Sequence, residues 1–344
     1  MNAAPGGPEP PPQPVSREPP GLLRRVALVT VLGVLVFAGL GIYGDARALA
    51  GQLGRYRWSA FALGLLLATL NYGLRWVRWE LYLRALGVRG VALASSARIF
   101  VAGFVMSVTP GKVGEVLKSV LLEEAHGVPL ARTAPIVVAE RITDLLGLSL
   151  LTALGALAVS GGSTAAAAGI VLVVALWLAV ALRPLGESAL RLADAVPGLR
   201  RLGPALREAY ESLRRLVAPG PFLGATALSV LAWGLECVSL HVILQGFDEP
   251  GEVTLLEATF AYGAPTIVGA VALLPGGVGL TEAGMTGALL AVGVPSTSVA
   301  TAATILCRLA TLWWAVLLGV VAYLAHRRAR ARTAQGVPRG SGVP

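Results

Sequence analysis

Ionisable residues stand inside long apolar runs of this sequence, where a charge costs at least about 2.5 to 3.5 kcal/mol and so needs a partner, water or a task. Glu140, Arg141 and Asp144 share one run, Glu236 lies in a second and Arg308 in a third. Glu140 and Asp144 are i,i+4 and Arg141 and Asp144 are i,i+3, so one helix can present an arginine–carboxylate pair and keep an acid over. Such groups can hold an anion, exchange protons or join helices. In Thr109-Pro110-Gly111-Lys112-Val113-Gly114-Glu115 a lysine sits at a break, and a short helix over Val113 to Glu123 would aim its free N–H groups back toward it. A helix N-terminus beside an ammonium suits a phosphate. A second break, Leu274-Pro275-Gly276-Gly277-Val278-Gly279-Leu280-Thr281-Glu282, lacks the lysine. Its Gly276, Gly277 and Gly279 let backbone approach a ligand or a neighbouring helix. Glu115 and Glu282 can pair with Arg141 and Arg308, cap the short helices or take up protons, and all three roles stay open. Arg98, on the arm before the first break, is either a member of this site or faces cytoplasmic water.

Each break is followed by Gly-Val-Pro (Gly127 to Pro129; Gly293 to Pro295) and then by an arginine in an apolar run, Arg141 or Arg308. Three landmarks in one order mark an internal duplication. Spans need about 20 apolar residues, and six runs qualify, at about 22–43, 58–84, 130–158, 163–182, 221–246 and 296–325. The broken regions, about 95–124 and 254–292, read as re-entrant helical hairpins, since irregular backbone survives at membrane depth only where protein or water covers it. The expected fold is an all-α polytopic membrane protein with six full transmembrane helices and two Pro-Gly-broken hairpins in an inverted repeat. Eight full crossings is the competing count. Arg24 and Arg25, Arg84 and Arg89, and Arg327, Arg328 and Arg330 flank spans and place both termini in the cytoplasm, in the cell (plasma or inner) membrane. Arg47, Arg55 and Arg57 on the opposite side weaken that bias. Residues 1–21 and the basic tail 327–344 are too poor in apolar residues to fold. Between them, 22–326 forms one transmembrane domain, with 183–219 as a cytoplasmic amphipathic segment whose stripe runs through Leu192, Leu199, Leu206 and Leu213.

At 344 residues, 55% hydrophobic and 14% charged, the chain is an integral membrane protein rather than a soluble domain. Its net charge of +9 follows from basic residues at span ends, so no nucleic acid is expected. Cys237 and Cys307 lie in apolar runs and His126, His241 and His326 are scattered, which gives no metal site, no cofactor and no catalytic arrangement. An enzyme is not expected. In Asn71-Tyr72-Gly73-Leu74-Arg75-Trp76-Val77-Arg78-Trp79-Glu80, arginines interleaved with aromatic rings at a span end favour an interfacial anchor, with a lipid entrance at Arg75 and Arg78 as the alternative.

Arg75 to Trp79, Thr109 to Glu115, Glu140-Arg141-Ile142-Thr143-Asp144 and Leu274 to Gly279 followed by Glu282 together resemble the transmembrane region of the lysylphosphatidylglycerol synthase family. The resemblance runs from about residue 22 to residue 325. In two-domain members, the multiple peptide resistance factors, the similar region is flippase-like and moves aminoacylated phosphatidylglycerol between leaflets, while a cytosolic domain makes that lipid. The sequence ends shortly after its last span, so the resemblance implies transport rather than aminoacyl transfer. It carries over Thr109, Pro110, Gly111, Gly114, Glu115, Glu140, Arg141, Asp144, Pro275, Gly276, Gly277, Gly279 and Glu282. Lys112 and Arg308 are placed at a phosphate by local chemistry alone. The expected substrate is an anionic phospholipid or a lipid-linked head group, with membrane lipids and an envelope-lipid synthesis enzyme as candidate partners. An ion-coupled carrier of a small anion and a noncatalytic membrane scaffold are the alternatives.

Overall fold

The computed structural model describes residues 31, 33–39, 41 and 42, residues 45–159 apart from 110–113, isolated positions from 163 to 178, and residues 203–335. All regular structure among the described residues is helical. The expected spans 22–43 and 163–182 fall largely outside them. So do segment 1–21, Pro110, Gly111 and Lys112, the first part of the amphipathic segment, and the end of the basic tail.

In chain order the helices are α1 (Ala46–Arg55), α2 (Trp58–Ala85), α3 (Leu93–Gly103), α4 (Leu117–His126), α5 (Leu130–Thr133) and α6 (Pro135–Ala156). They continue with α7 (Gly203–Leu216), α8 (Pro219–Leu244), α9 (Leu255–Val271), α10 (Leu280–Ala291), α11 (Thr297–Arg308) and α12 (Trp314–Gln335). A π-helical turn, Leu309–Trp313, joins α11 to α12 in one rod. Three helices are long and apolar enough to cross a membrane: Trp58–Ala85, Pro219–Leu244 and the rod over Thr297–Ala329. With 22 residues α6 is also about 33 Å long, but it carries Glu140, Arg141 and Asp144. Helix α7, the described part of the amphipathic segment, packs on α5 and α6 with Leu206 and Leu213 half-buried and Arg207 exposed.

Local chemistry sets the ends of these helices. Thr254 and Glu257 form a reciprocal capping box at the start of α9. Ser296 caps α11 through the N–H of Val299, and Gly127, at φ 68°, closes α4 in the left-handed conformation. At the second break Gly276 and Gly279 take φ of 62° and 93°, and the Glu282 carboxylate accepts from the Gly279 N–H at 2.6 Å. Helix α10 then folds back along α9, with Gly269 against Thr281 and Gly284 against Pro265. Neither arm, of 17 and 12 residues, reaches the about 20 residues that a full crossing needs.

The packing pairs equivalent elements of the two halves. Helices α2 and α8, each preceding a broken region, lie against each other and run antiparallel: Ser239 bonds the Gly64 carbonyl, Asn71 the Ala232 carbonyl, and Arg78 the Ser229 hydroxyl. The first arm of each broken region packs on the long helix of the opposite half, α9 on α6 and α3 on α12. A twofold relation between the halves requires this exchange. Close approach supports it, because a Cβ on Gly155 of α6 would sit 2.6 Å from the Leu256 carbonyl oxygen of α9. Van der Waals contact of this kind drives helix association where lipid removes the hydrophobic incentive. Two apolar clusters result, one around Trp79, Phe100 and Phe104, the other around Trp233, Leu240 and Leu306.

Candidate functional site

The polar interior is built on α6. Asp144 is 4% exposed, and its Oδ1 accepts from Arg78 at 2.5 Å, Ser229 at 3.0 Å and Trp233 at 3.1 Å. One turn back, Glu140 accepts from Lys118 Nζ at 2.5 Å, and that ammonium also lies over the rings of Trp79 and Phe100. Ammonium held by carboxylate and ring faces together is strongly stabilised once water is gone. Arg141 is 3.2 Å from both Glu115 and Asp144. In the second half Arg308 donates to Glu282 at 2.7 Å and to the Gly276 carbonyl at 2.6 Å. Glu282 therefore pairs and caps at once. Glu236 accepts from the Tyr262 hydroxyl across α8 and α9.

Some of these groups line a cavity of about 200 Å³. Arg75, Arg141 and Arg308 reach it from three helices, Asp144, Glu236 and Tyr262 supply further polar surface, and Gly276 and Gly277 form part of the wall. Its remaining lining mixes Tyr72, Ser107 and three threonines with apolar side chains, among them Leu273 and Leu274, which are 63% and 37% exposed. Arg75 is the cation held least tightly. It is 7% exposed and stacks over Phe104, yet the nearest carboxylate oxygens, on Glu115 and Asp144, are 3.8 and 4.0 Å away. Its Nε has no hydrogen-bond partner among the described residues.

Of the residues expected at the site, Arg141, Asp144, Glu236, Gly276, Gly277 and Arg308 line the cavity, whereas Glu115, Glu140 and Glu282 do not line it and stand as ion-pair partners of Arg141, Lys118 and Arg308. Thr109 and Gly114 shape the first break from outside the cavity, where the Thr109 hydroxyl accepts from the Gly114 N–H at 2.8 Å. Pro275 opens a single 3₁₀ turn, and Gly279 is the cap of α10. Arg98 is exposed on α3 and does not line the cavity, which removes it from the site. The interfacial-anchor reading of Arg75 and Arg78 is also corrected. Both are buried and turn inward, because Asp144 and Glu115 offer opposite charge there. Glu140 is not a spare acid, since Lys118 takes it. Lys118, Tyr262, Trp233 and Tyr72 join the site without having been singled out in the sequence. Of these only Lys118 carries a local signal, its i,i+3 spacing from Glu115.

Long apolar helices from two antiparallel halves, closed around a buried charged cavity, define a polytopic membrane protein with a central polar site. The family described as Lysylphosphatidylglycerol synthase TM region matches residues 27–319, and the chain belongs to it. A UPF0104 membrane protein of Pyrococcus horikoshii is 26% identical over 77% of this chain and 87% of its own length. Another, from Methanothermobacter thermautotrophicus, is 32% identical over 36% of each chain. Glycosyltransferase AglD of Haloferax volcanii is 24% identical over 83% of this chain, which spans 52% of that protein.

Proposed function

We propose that this protein is a flippase or scramblase that carries the head group of an anionic phospholipid or lipid-linked envelope precursor between leaflets, and performs no chemistry on it. The observation that carries this reading is Arg75, a buried guanidinium at the cavity wall with carboxylates only at 3.8 and 4.0 Å. A buried charge held this loosely is costly unless a ligand completes its shell. Arg141 and Arg308 supply further donors to a phosphate entering beside it. Leu273 and Leu274 line the cavity and also face outward, which favours a lipid keeping its tails in the bilayer over a soluble anion.

In this reading six helices cross the membrane, α3–α4 and α9–α10 are re-entrant hairpins from opposite faces, and both termini lie in the cytoplasm of a cell-membrane protein. Rocking of the halves about α2 and α8 exposes the cavity to each side in turn. Membership of a family described by a lipid synthase region, and a relative named for glycosyl transfer, support a lipid substrate made by a separate envelope-lipid synthesis enzyme. Purified protein in liposomes should accelerate leaflet exchange of fluorescent phosphatidylglycerol. No acceleration across a panel of phosphatidylglycerol, phosphatidylethanolamine, phosphatidylserine and a polyprenyl phosphate sugar would overturn the proposal.

A further inference from the structure

Three guanidiniums supply the charged donors of the cavity, and its neutral polar wall is made of hydroxyls: Tyr72 on α2, Ser107 after α3, Tyr262 and Thr266 on α9, Thr281 on α10 and Thr311 in the π turn. Each of these hydroxyls has committed its hydrogen. Thr266 donates to the Tyr262 carbonyl at 2.7 Å, Thr311 to the Cys307 carbonyl at 2.8 Å and Tyr72 to the Thr311 carbonyl at 2.5 Å. Tyr262 donates to the Glu236 carboxylate, Ser107 to that of Glu115 at 3.3 Å, and Thr281 reaches the Pro265 carbonyl at 3.5 Å. A carbonyl has no hydrogen to give, so the direction of its bonds is fixed. Elsewhere among the described residues the buried hydroxyls of Ser119, Thr133, Ser149 and Thr301 have no such acceptor, and none of them lines the cavity.

A hydroxyl oxygen whose hydrogen is spent still accepts through its free lone pair. The wall therefore offers a ligand charged donors from Arg75, Arg141 and Arg308, and neutral acceptors from the hydroxyls. Its complement is an anion that also carries hydrogen-bond donors, placed apart because the acceptors come from α2, α9 and the π turn. Hydroxyl groups or an ammonium could supply those donors. An ammonium concentrates its donors and its charge on one atom, and three guanidiniums reach the same cavity. Of the carboxylates on the wall, Asp144 is already taken by Arg78, Arg141, Ser229 and Trp233, and Glu236 is engaged by Tyr262. Hydroxyls bring no charge, and spread along a carbon chain or around a ring they meet acceptors on separate helices.

We infer that the cavity selects a polyol phosphate head group: a phosphodiester held by the arginines, joined to a glycerol, cyclitol or sugar whose hydroxyls donate to the lining hydroxyls, and bearing no ammonium. This rests on the anion-binding reading of the cavity. The test is calorimetric titration of the detergent-solubilised full chain with the dihexanoyl forms of phosphatidylglycerol, phosphatidylethanol and phosphatidylethanolamine. Phosphatidylglycerol should bind about ten-fold more tightly than phosphatidylethanol, which has the same charge and no head-group hydroxyl, as two neutral hydrogen bonds would give. Phosphatidylethanolamine should bind more weakly than phosphatidylglycerol. Equal binding of phosphatidylglycerol and phosphatidylethanol overturns the polyol site and leaves the anion site standing, as does phosphatidylethanolamine binding as tightly as phosphatidylglycerol. Absence of binding by both anionic lipids overturns the two readings together. Thr266→Val and Thr311→Val, which keep the branched shape and remove the oxygen, should each shrink the advantage of phosphatidylglycerol over phosphatidylethanol by about three-fold. An unchanged ratio in both variants takes the hydroxyls out of recognition and overturns the inference. Should the variants fail to fold, the native ratio alone decides.

Discussion

Arg308 donates from Nε to Glu282 at 2.7 Å, and its counterpart Arg141 donates from Nη2 to Glu115 at 3.2 Å, with the partners 26 positions apart in each case. The duplicated sequence thus reproduces one ion pair, joining a broken region to the long helix after it. The copies are held differently. Arg308 is 6% exposed and also binds the Gly276 carbonyl, fastening the second break. Arg141 is 24% exposed at its side chain and divides itself between Glu115 and Asp144. Both arginines line the cavity, but the second-half pair is also latched to its break, whereas the first-half arginine is shared between two carboxylates.

Glu282→Ala should therefore be among the most damaging single changes. It leaves Arg308 buried without its carboxylate and frees the Gly279 N–H at the start of α10. Breaking a buried pair costs about 3 to 5 kcal/mol, so a large fall in the apparent melting temperature of the purified protein is expected. Removing both charges, in Glu282→Ala with Arg308→Met, should recover part of the loss.

Arg75 and Arg78, one helical turn apart, should separate function from stability. Arg78 is 0% exposed and bonded to Asp144 at 2.5 Å and to Ser229 at 3.0 Å, so Arg78→Ala removes the shortest ion pair of Asp144 and should lower the melting temperature. Arg75 has only distant carboxylates. Arg75→Ala should leave melting nearly unchanged while slowing phosphatidylglycerol exchange in liposomes by at least about ten-fold, the loss of one charge-assisted contact.

Lys118 gives a double-mutant test of the aromatic pocket. Lys118→Met keeps the stem volume but leaves Glu140, 1% exposed, without its ammonium, and should cost about 3 to 5 kcal/mol. Adding Glu140→Gln should return most of that, since a neutral amide is far easier to bury there than a carboxylate. Melting temperatures of the two single variants and the double variant measure the coupling.

What the sequence makes legible, and what it hides, follows from contrast. Glu140, Arg141, Asp144, Glu236 and Arg308 stand out because apolar residues surround each, so a charge there must face the interior. The breaks are equally plain, since proline and glycine interrupt helical sequence whatever packs nearby. Arg78 is ambiguous at a span end, where snorkelling to head groups and reaching across to Asp144 are both open. The rotation of α2 against α6 decides it, and no local pattern encodes that rotation. Tyr262 meets Glu236 only through the packing of α9 on α8. The π turn after Arg308 carries no proline and shows itself through the Thr311 carbonyl, which accepts from Tyr72 at 2.5 Å.

Gly155 tests the exchange of arms between halves. A methyl group there would meet backbone atoms of Leu256 and Phe260 at 2.6 and 2.7 Å, and backbone cannot swing aside as a side chain can. Gly155→Leu should separate α6 from α9 and destabilise by several kcal/mol, within the upper range seen for overpacked contacts, about 1 to 3 kcal/mol or more. Gly234→Leu, on α8 with nothing within 4 Å of its added carbon, is the matched control and should melt like the native protein.

Leu273 distinguishes a lipid path from a water path. It lines the cavity, is 63% exposed and precedes the second break, so in a lipid transporter it stands where a head group leaves the bilayer for the arginines. Leu273→Cys places a thiol at that point, and the native Cys237 and Cys307, at 1% and 0% exposure, contribute little background. In liposomes a membrane-partitioning maleimide should label Leu273→Cys much faster than a charged, water-soluble thiosulfonate does. Added phosphatidylglycerol should slow that labelling, whereas inorganic phosphate should not. Faster reaction with the water-soluble reagent, with protection by phosphate alone, would transfer the cavity from a lipid head group to a soluble anion.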